Sequence, residues 1–383
     1  MKIAVIICEY NPLQKGHVYH IQNTKKNCMC DKLVCIMSGN FVQRGEGAIA
    51  DKYIRAKWAV QNGADLVIEL PPEYVLSTAK YFALGAIKTA DTINAEIILS
   101  FGSEDGDVEN LKKSAEWQES EEFKSLIDEF LKNGYGYAQS YSLALNKLSP
   151  DNAELLSSPN NILGIEYIKA ILDTKSSITP YTIKRLGEYK DNEPSNGFAS
   201  ASAIRNLLFK GDYDKISELV PYSVFEDIKK LSLSKILQSK DKLFSVLKYN
   251  MDKKKALNCH GVKEGIENRI FKLLQSSDSY DELMTRLATK RYTNAYLMRT
   301  ILNIVLGNNF TAEDLRAKDI DFVNILAIEE GAKDLLSLFK CKVISKSSDI
   351  KSDSLISRCD NLYSSIYTLS TQKGMQIIKN KTK

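Results

Sequence analysis

Short apolar runs alternate with amphipathic stretches through the first half of the chain. The runs have the length and the β-branched content of buried strands, and the stretches between them repeat apolar positions at helical spacing. Predicted strands are Lys2–Cys8, Lys32–Met37, Asp65–Leu70, Glu96–Phe101 and Thr179–Ile183, and predicted helices are His17–Lys26, Asp51–Asn62 and about Ser77–Asn94. This alternation predicts βαβ units, and therefore an α/β fold with an open, Rossmann-like parallel sheet.

The second half of the chain is mostly helical in its pattern. With 383 residues the chain is long enough for two domains. We place the boundary between residues 215 and 216, so that 1–215 contains the parallel sheet and 216–383 forms a mostly helical domain. Ligands of open parallel sheets bind beyond the carboxyl ends of the strands, so we expect the functional residues just after strands.

Charge is distributed unevenly along the chain. Residues 1–200 contain 21 Lys and Arg against 26 Asp and Glu, and residues 201–383 contain 31 against 22, which gives the overall net charge of +4. A basic second half favours a polyanionic partner bound there. A solvated helical surface rich in lysine explains the charge equally well.

Several classes of protein are disfavoured by composition. No apolar run is long enough to span a bilayer, and the first apolar run is too short for a signal peptide. Seven scattered cysteines are typical of reduced thiols. Cys28, Cys30 and Cys35 lack the usual zinc spacing, so we expect idle thiols and no protein-bound metal site. We therefore expect a cytoplasmic protein without membrane contact.

Two of the three histidines, His17 and His20, follow the first predicted strand and a Pro/Gly turn. They lie one helical turn apart at the start of a predicted helix, so both imidazoles share one face. The backbone N–H groups and the dipole at a helix N-terminus attract phosphate, and Gly16 permits close approach of a ligand. This arrangement predicts a phosphate site in which both histidines stabilise charge in the transition state.

The segment Gln14–His17 resembles the signature of the HIGH nucleotidyl transferase superfamily, His/Thr-x-Gly-His, with Gln14 in the first position. The resemblance implies attack on the α-phosphate of a nucleoside triphosphate. The segment Ser200–Arg205 resembles an adenylyltransferase motif whose hydroxyls and arginine hold the triphosphate opposite these histidines. Capping of a helix by Ser200 or Ser202, and by Asn160 or Asn161, explains those residues equally well.

Further segments extend the likeness to one family. They are Glu9–His20, Met37–Glu46, Asp65–Pro71, Phe101–Gly106, Pro159–Gly164, Ala199–Arg205 and Lys290–Thr293. Together they resemble the tRNA(Met) cytidine acetate ligases. The resemblance implies that acetate and ATP form acetyladenylate and pyrophosphate, and that N4 of the wobble cytidine of elongator tRNA(Met) then takes the acetyl group and releases AMP.

The same resemblance implies the site residues. The ATP-binding residues would be Ile7, Cys8, Glu9, Tyr10, Asn11, Pro12, Gly16, His17, His20, Gly102, Asn160, Asn161, Arg185, Ser202 and Arg205. Of these, Ser202 and Arg205 would hold the β- and γ-phosphates. Mg²⁺ is expected to accompany ATP. Gln43 and Arg44 are the candidates for binding acetate, and a surface turn is the alternative.

Two basic segments in the second half have aromatic neighbours. One is Lys253–Lys255, just after Tyr249. The other supplies the predicted RNA-binding residues Lys290, Arg291 and Arg299, with Tyr292 or Tyr296 as a stacking platform. The alternative places these tyrosines in a helical core.

Two other functions are compatible with part of the pattern. A small-molecule adenylyltransferase would explain the motifs but leave the basic half without a role. A non-catalytic RNA-binding protein would leave the paired histidines unexplained. Acetate-dependent ATP–pyrophosphate exchange without RNA separates all three functions.

Overall fold

A computed structural model describes residues 1–135, 137–148, 158–185, 197–231, 233–263, 265–289, 292–367 and 374–379. These residues form a mostly parallel sheet with helices on both faces. The strands are β1 (Lys2–Cys8), β2 (Lys32–Ser38), β3 (Leu66–Leu70), β4 (Glu96–Ser103), β5 (Thr179–Lys184), β6 (Phe322–Glu329), β7 (Lys342–Ile344) and β8 (Gln376–Ile378). The α/β prediction is confirmed, and the five predicted strands occur at nearly the predicted residues.

The helices of the first half are α1 (Lys15–Cys28), α2 (Lys52–Gln61), α3 (Pro72–Val75), α4 (Ala79–Asp91), α5 (Val108–Gln118), α6 (Glu121–Lys132), α7 (Tyr137–Leu148), α8 (Pro159–Thr174), α9 (Ala201–Lys210) and α10 (Tyr213–Leu219). Those of the second half are α11 (Tyr222–Lys229), α12 (Leu233–Asn250), α13 (Lys253–Ala256), α14 (Ile266–Gln275), α15 (Tyr280–Leu287), α16 (Asn294–Leu306), α17 (Ala312–Ala317) and α18 (Leu355–Tyr367). Two 3₁₀ helices, Glu330–Leu338 and Ser347–Asp349, complete the described elements.

The strand order β5-β4-β1-β2-β3-β6-β7 places β1 at the centre of the first-half strands. All pairs among β1 to β5 are parallel, with Ile3 opposite Lys32 on one side of β1 and Lys2 opposite Glu96 on the other. The chain order reverses between β1 and β4. Such a switch point opens a crevice at the carboxyl ends of the strands, where ligands bind in α/β proteins.

The second half returns to the sheet, which the sequence analysis did not predict. β6 pairs antiparallel with β3, and β7 and β8 pair parallel with β6. The second half is otherwise mostly helical, as predicted. β6 is an apolar run of the length expected for a buried strand, but its partner β3 lies far away in sequence, so periodicity alone did not identify the pairing.

The core covers both faces of the sheet. On one face, helices α4 to α8 pack over the apolar residues of the central strands. On the other, α1 and α2 share a continuous apolar core with helices of the second half, so that Trp58 of α2 donates a hydrogen bond to Asp227 of α11 over 2.9 Å. The apolar core is continuous across residues 215 and 216. The domain boundary that we place there from the sequence stays a prediction. No helix of the described residues is long and apolar enough to cross a membrane.

Candidate active site

A cavity of about 430 Å³ opens beyond the carboxyl ends of β1, β4 and β5. This volume lies within the usual range of small-molecule sites. The residues predicted from the sequence that line this cavity are Ile7, Cys8, Glu9, Tyr10, Asn11, Gly16, His17, His20, Gln43, Arg44, Gly102, Asn160, Arg185 and Arg205. The switch point of the sheet thus brings together residues that are almost 200 positions apart in the chain.

The turn between β1 and α1 sets the orientation of His17. Gln14 is the N-cap of α1: its side-chain oxygen accepts from the backbone N–H of Gly16, and its own backbone N–H donates to Nδ1 of His17 over 3.2 Å. This reciprocal pair is a capping box. The glutamine in the first position of the signature therefore has a structural role that its sequence neighbours did not reveal.

The capping box also selects the tautomer of His17. A backbone N–H can only donate, so Nδ1 accepts, and the neutral ring carries its proton on Nε2. Burial, followed by the charge of Arg185 and by His20, lowers the pKa of His17 to about 3. His17 is therefore a neutral imidazole with an Nε2–H donor. A neutral histidine of this kind can polarise a developing oxyanion.

His20 is held by a chain of hydroxyl groups. Its Nε2 lies 3.0 Å from Oγ of Ser100 on β4, and that oxygen lies 2.7 Å from Oγ1 of Thr24, one turn further along α1. Burial and the charge of Arg185 lower the pKa of His20 to about 4. Ser100 and Thr24 were missed by the sequence analysis, because only the packing of α1 against β4 brings them to His20.

The charge around the cavity suits a polyanion. The N-termini of three helices, α1, α8 and α9, contribute lining residues, and each helix presents the positive end of its dipole. Among the described lining residues the charged side chains are Glu9, Arg44, Lys184, Arg185 and Arg205. The wall of the cavity therefore carries four cationic side chains and one carboxyl group, that of Glu9. Burial raises the pKa of Glu9.

The two asparagines at the start of α8 have different positions. Asn160 lines the cavity, and its amide donates to the Glu104 carboxylate over 2.5 Å. Asn161 is buried, and its side-chain oxygen accepts from the backbone N–H groups of Glu104 and Asp105. The second oxygen of Glu104 accepts from the backbone N–H of Asn161 over 3.0 Å. Glu104 therefore joins the end of β4 to the N-terminus of α8, a role that the sequence analysis did not assign.

Arg205 joins α9 to the turn after β1. Its guanidinium donates to the backbone oxygen of Asn11 over 2.9 Å and to Oγ of Ser202 over 3.2 Å. Burial lowers the pKa of Arg205. The N-cap of α9 is Ser200, whose hydroxyl accepts from the backbone N–H of Ala203. Of the two serines considered as caps, the structure thus gives that role to Ser200.

The loop after β2, which carries Gln43 and Arg44, is fixed from several sides. The backbone N–H of Gln43 donates to the Glu9 carboxylate over 2.7 Å, and its side-chain amide donates to the backbone oxygen of Ser77 over 3.1 Å. Gly45 has φ +84°, and a Cβ on it would lie 2.5 Å from the backbone nitrogen of Arg299 on α16. A helix of the second half therefore packs directly on this loop.

Some of the predicted site residues lie outside the cavity wall or outside the described residues. Pro12, Asn161 and Ser202 are next in sequence to lining residues but are not themselves in the cavity wall. Arg299 donates to the backbone oxygen of Gln43 over 3.1 Å, a contact within the protein. Lys290 and Arg291 lie outside the described residues. The RNA-binding roles of these three basic residues stay predictions.

One buried arginine was missed by the sequence analysis. Arg55 of α2 is fully buried and donates to the backbone oxygens of Glu9, Ser38 and Ala50. It thereby ties together the loops that follow β1 and β2. Nothing in the local sequence distinguishes this arginine from a solvated one on an amphipathic helix.

No group of three or more His, Cys, Asp or Glu side chains in the described ranges is arranged to hold a metal ion. Cys28, Cys30 and Cys35 are free thiols there. Burial raises the pKa of Cys28 to about 11, which keeps that thiol protonated at neutral pH.

We expect His17 and His20 to stay neutral in the ligand-free protein from pH 5 to pH 8. Their pKa values lie below the usual 6.5, so the unfolded chain binds more protons than the folded chain between about pH 3 and 6.5. The free energy of unfolding should therefore fall as pH falls through that window. NMR of the imidazole nitrogens measures both tautomer and titration, and the chain has only three histidines. A His17 ring that titrates near pH 6.5, or that carries its proton on Nδ1, would contradict this assignment.

The chain is similar to proteins of one family. A family model described as HIGH Nucleotidyl Transferase matches residues 1–381. A relative from Clostridium novyi (strain NT), named tRNA(Met) cytidine acetate ligase, is 40% identical over 352 residues, which cover 89% of this chain and 88% of the relative. A relative of the same name from Clostridium perfringens is 36% identical over 386 residues and covers 95% of each chain.

Two solved structures are similar to this chain over nearly its whole length. The fold is similar to a crystal structure of Thermotoga maritima TmcAL bound with alpha-thio ATP, with a TM-score of 0.85 and 27% identity over 99% of this chain and 100% of that one. The apo form of the Thermotoga maritima protein matches with a TM-score of 0.88 and 28% identity, over the same shares of both chains.

Proposed function

Since this chain belongs to the HIGH nucleotidyl transferases and, within them, to the tRNA(Met) cytidine acetate ligases, we propose that it activates acetate with ATP and acetylates N4 of the wobble cytidine of elongator tRNA(Met). One observation supports the proposal most strongly: three helix N-termini, four cations and the histidine pair surround one cavity at the switch point of the sheet. The ATP analogue bound to the Thermotoga maritima protein supports ATP as the ligand. We expect the reaction to take place in the cytoplasm.

The first step forms a mixed anhydride. An acetate oxygen attacks the α-phosphorus of ATP, the bond between that phosphorus and the α,β-bridging oxygen breaks, and pyrophosphate leaves. His17, a neutral Nε2–H donor, and His20 would stabilise the charge that develops on the phosphate oxygens. Arg205 would hold the β- and γ-phosphates next to the N-terminus of α9.

The second step transfers the acetyl group. N4 of the cytidine attacks the acetyl carbonyl, the bond to the adenylate oxygen breaks, and AMP leaves as the amine loses a proton. The exocyclic amine is a weak nucleophile because its lone pair is delocalised into the ring. Close positioning in a confined site would compensate for that weakness. The wobble base must be unstacked to reach the cavity, which is easier in a single-stranded loop than in a duplex.

Acetate needs a small pocket with a cation. Arg44 and Gln43 line the cavity on the side of Glu9, and the loop that carries them is fixed by Arg299 and Ser77. We propose that this loop binds the acetate carboxylate. Mg²⁺ would arrive with ATP on the phosphate oxygens, as is usual for nucleotide-bound magnesium. It would offset phosphate charge, and the protein groups named above would orient the reactants.

We expect label from isotope-labelled acetate to enter N4-acetylcytidine only when ATP is present. The purified protein is incubated with tRNA(Met), ATP and labelled acetate, and the digested nucleosides are identified by mass spectrometry. Unlabelled acetyl-CoA should not dilute the label, because the adenylate is the acyl donor. Entry of label without ATP, or equal use of acetyl-CoA, would contradict the proposal. A small-molecule adenylyltransferase would instead show no acetate-dependent ATP–pyrophosphate exchange.

A further inference from the structure

A basic corner of the helical part lies where α12 ends, and we propose that it binds the RNA substrate through its phosphates and one stacked base. We call it the α12 corner, and it consists of Lys248, Tyr249, Lys253, Lys254 and Lys255. The inference rests on the function proposed above and deepens it, because it assigns a surface to the RNA.

The α12 corner concentrates positive charge. Residues 248–255 contain four lysines and one aspartate, a net charge of +3 within a short segment of a chain whose total is +4. The aspartate, Asp252, is the N-cap of α13, and its Oδ1 accepts from the backbone N–H groups of Lys254 and Lys255. Lys253, Lys254 and Lys255 are exposed. Within residues 233–263 and 265–289, none of the ion pairs formed involves their ammonium groups.

An exposed aromatic ring precedes these lysines closely in sequence. Tyr249, in the last turn of α12, is 91% exposed, the largest value among the exposed large hydrophobic residues of the described chain. A tyrosine so placed offers a flat apolar face to which an unpaired base can stack. An exposed basic cluster close in sequence to an exposed ring combines the two features by which proteins hold single-stranded RNA without reading its sequence.

Helix α12 connects this corner to the rim of the candidate active site. Helix α12, with Ser239 near its middle, packs against α18, which ends at Tyr367. The ring of Tyr367 packs against Gly47, in the loop that carries Arg44. From Ser239 to Tyr249 the helix rises about 15 Å, at roughly 1.5 Å per residue. The corner therefore belongs to the same helix that packs near the rim of the candidate active site.

A second connection runs through the end of α13. His260 follows this helix closely, and its Nε2 lies 2.8 Å from Oγ of Ser77. The backbone oxygen of Ser77 in turn accepts from the side chain of Gln43 in the cavity wall. Two independent paths of contact therefore fix the corner relative to the loop proposed to bind acetate. A surface held rigidly to the catalytic loop can set the register of a bound RNA.

The proposal is tested by tRNA binding measured over a range of salt concentrations. In the triple variant K253A/K254A/K255A, the slope of log affinity against log salt should fall by about two to three units, since each lost phosphate contact removes roughly 0.7 to 0.9. Tyr249→Ala should weaken binding on the order of tenfold, and Tyr249→Phe should bind like the wild type because the ring is kept. Acetate-dependent ATP–pyrophosphate exchange without RNA should be unchanged in all three variants.

Matched controls exclude an effect of net charge or of folding. The variant K113A/K124A/K132A also removes three charges, but from α5 and α6, which cover the opposite face of the sheet. Tyr222→Ala removes another exposed tyrosine, 78% exposed, from α11. Both controls should bind tRNA normally, and a triple Lys→Arg variant of the corner should keep its affinity.

The possible failures are distinguishable. Corner variants that bind tRNA with wild-type affinity and slope, or controls that are weakened equally, would overturn the α12 corner alone. A wild-type protein that exchanges pyrophosphate with acetate but neither binds nor acetylates tRNA would overturn the proposed RNA substrate, and the corner with it.

Discussion

We expect His17→Ala to lower the rate of acetate-dependent ATP–pyrophosphate exchange about 100- to 1000-fold while ATP binding changes little. Removal of a single donor that contacts charge developing in the transition state typically costs that much. His17 fits this description because its proton is on Nε2, since Nδ1 accepts from the backbone of Gln14. Exchange kinetics give the rate, and calorimetry gives the affinity for ATP.

The alanine variant also removes the acceptor that caps α1, so a second substitution separates the two effects. Asparagine can place its Oδ1 near the position of Nδ1 and keep the contact with Gln14, but it lacks the Nε2–H donor. His17→Asn should therefore retain the thermal stability of the wild type and still lose exchange activity. An exchange rate unchanged in both variants would exclude His17 from the reaction.

We expect Lys52→Met to destabilise the fold by about 3 to 5 kcal/mol, the usual cost of leaving one partner of a buried ion pair alone. The Lys52 side chain is fully buried. Its ammonium lies 3.0 and 2.9 Å from the two oxygens of Glu69 and 2.7 Å from Oδ2 of Asp360. These two carboxylates raise the pKa of Lys52 and so keep it charged. Methionine would leave both without their cation.

The same ionic cluster joins distant parts of the chain. Lys52 is on α2, Glu69 is on β3, and Asp360 is on α18. Asn40, in the loop after β2, donates to Asp360 over 2.8 Å. Loss of the cluster should therefore also loosen the loop that carries Gln43 and Arg44, and raise the KM for acetate.

Helix α2 provides the matched control for this prediction. Lys57 pairs with Asp227 at 2.6 Å, but its side chain is 28% exposed. Partly exposed pairs contribute about 1 kcal/mol or less, so Lys57→Met should change the free energy of unfolding only slightly. Urea denaturation of both variants measures the difference. Equal small effects would show that water reaches Glu69 and Asp360 and that the cluster is not an important source of stability.

The local order of the first half could be predicted from the sequence. Strands such as Lys2–Cys8 and helices such as α2 are encoded by apolar spacing over a few residues, which does not depend on distant partners. The cluster of site residues after strand ends followed from the same pattern, because parallel strands share one carboxyl edge. Motif likeness identified the family, which the comparisons show.

Other features depended on pairs of residues far apart in sequence. The antiparallel pairing of β6 with β3, the contact of Ser100 with His20 and the burial of Arg55 all join segments that only folding brings together. A hydroxyl or a guanidinium has no local signature that tells whether it will meet water or a carbonyl group. The tertiary structure therefore decided which polar residues became partners of the site.

The sequence by itself thus determined the strands and several helices of the first half, the sheet class and the family, and it predicted the phosphate-binding turn. The tertiary structure decided the tautomer of His17, the different positions of Asn160 and Asn161, and the packing of α16 on Gly45. The physical reason is the distance along the chain over which each kind of interaction acts. Hydrophobic periodicity and helix capping act over a few residues, whereas desolvation, charge pairing and steric contact depend on every segment that folding brings within a few ångströms.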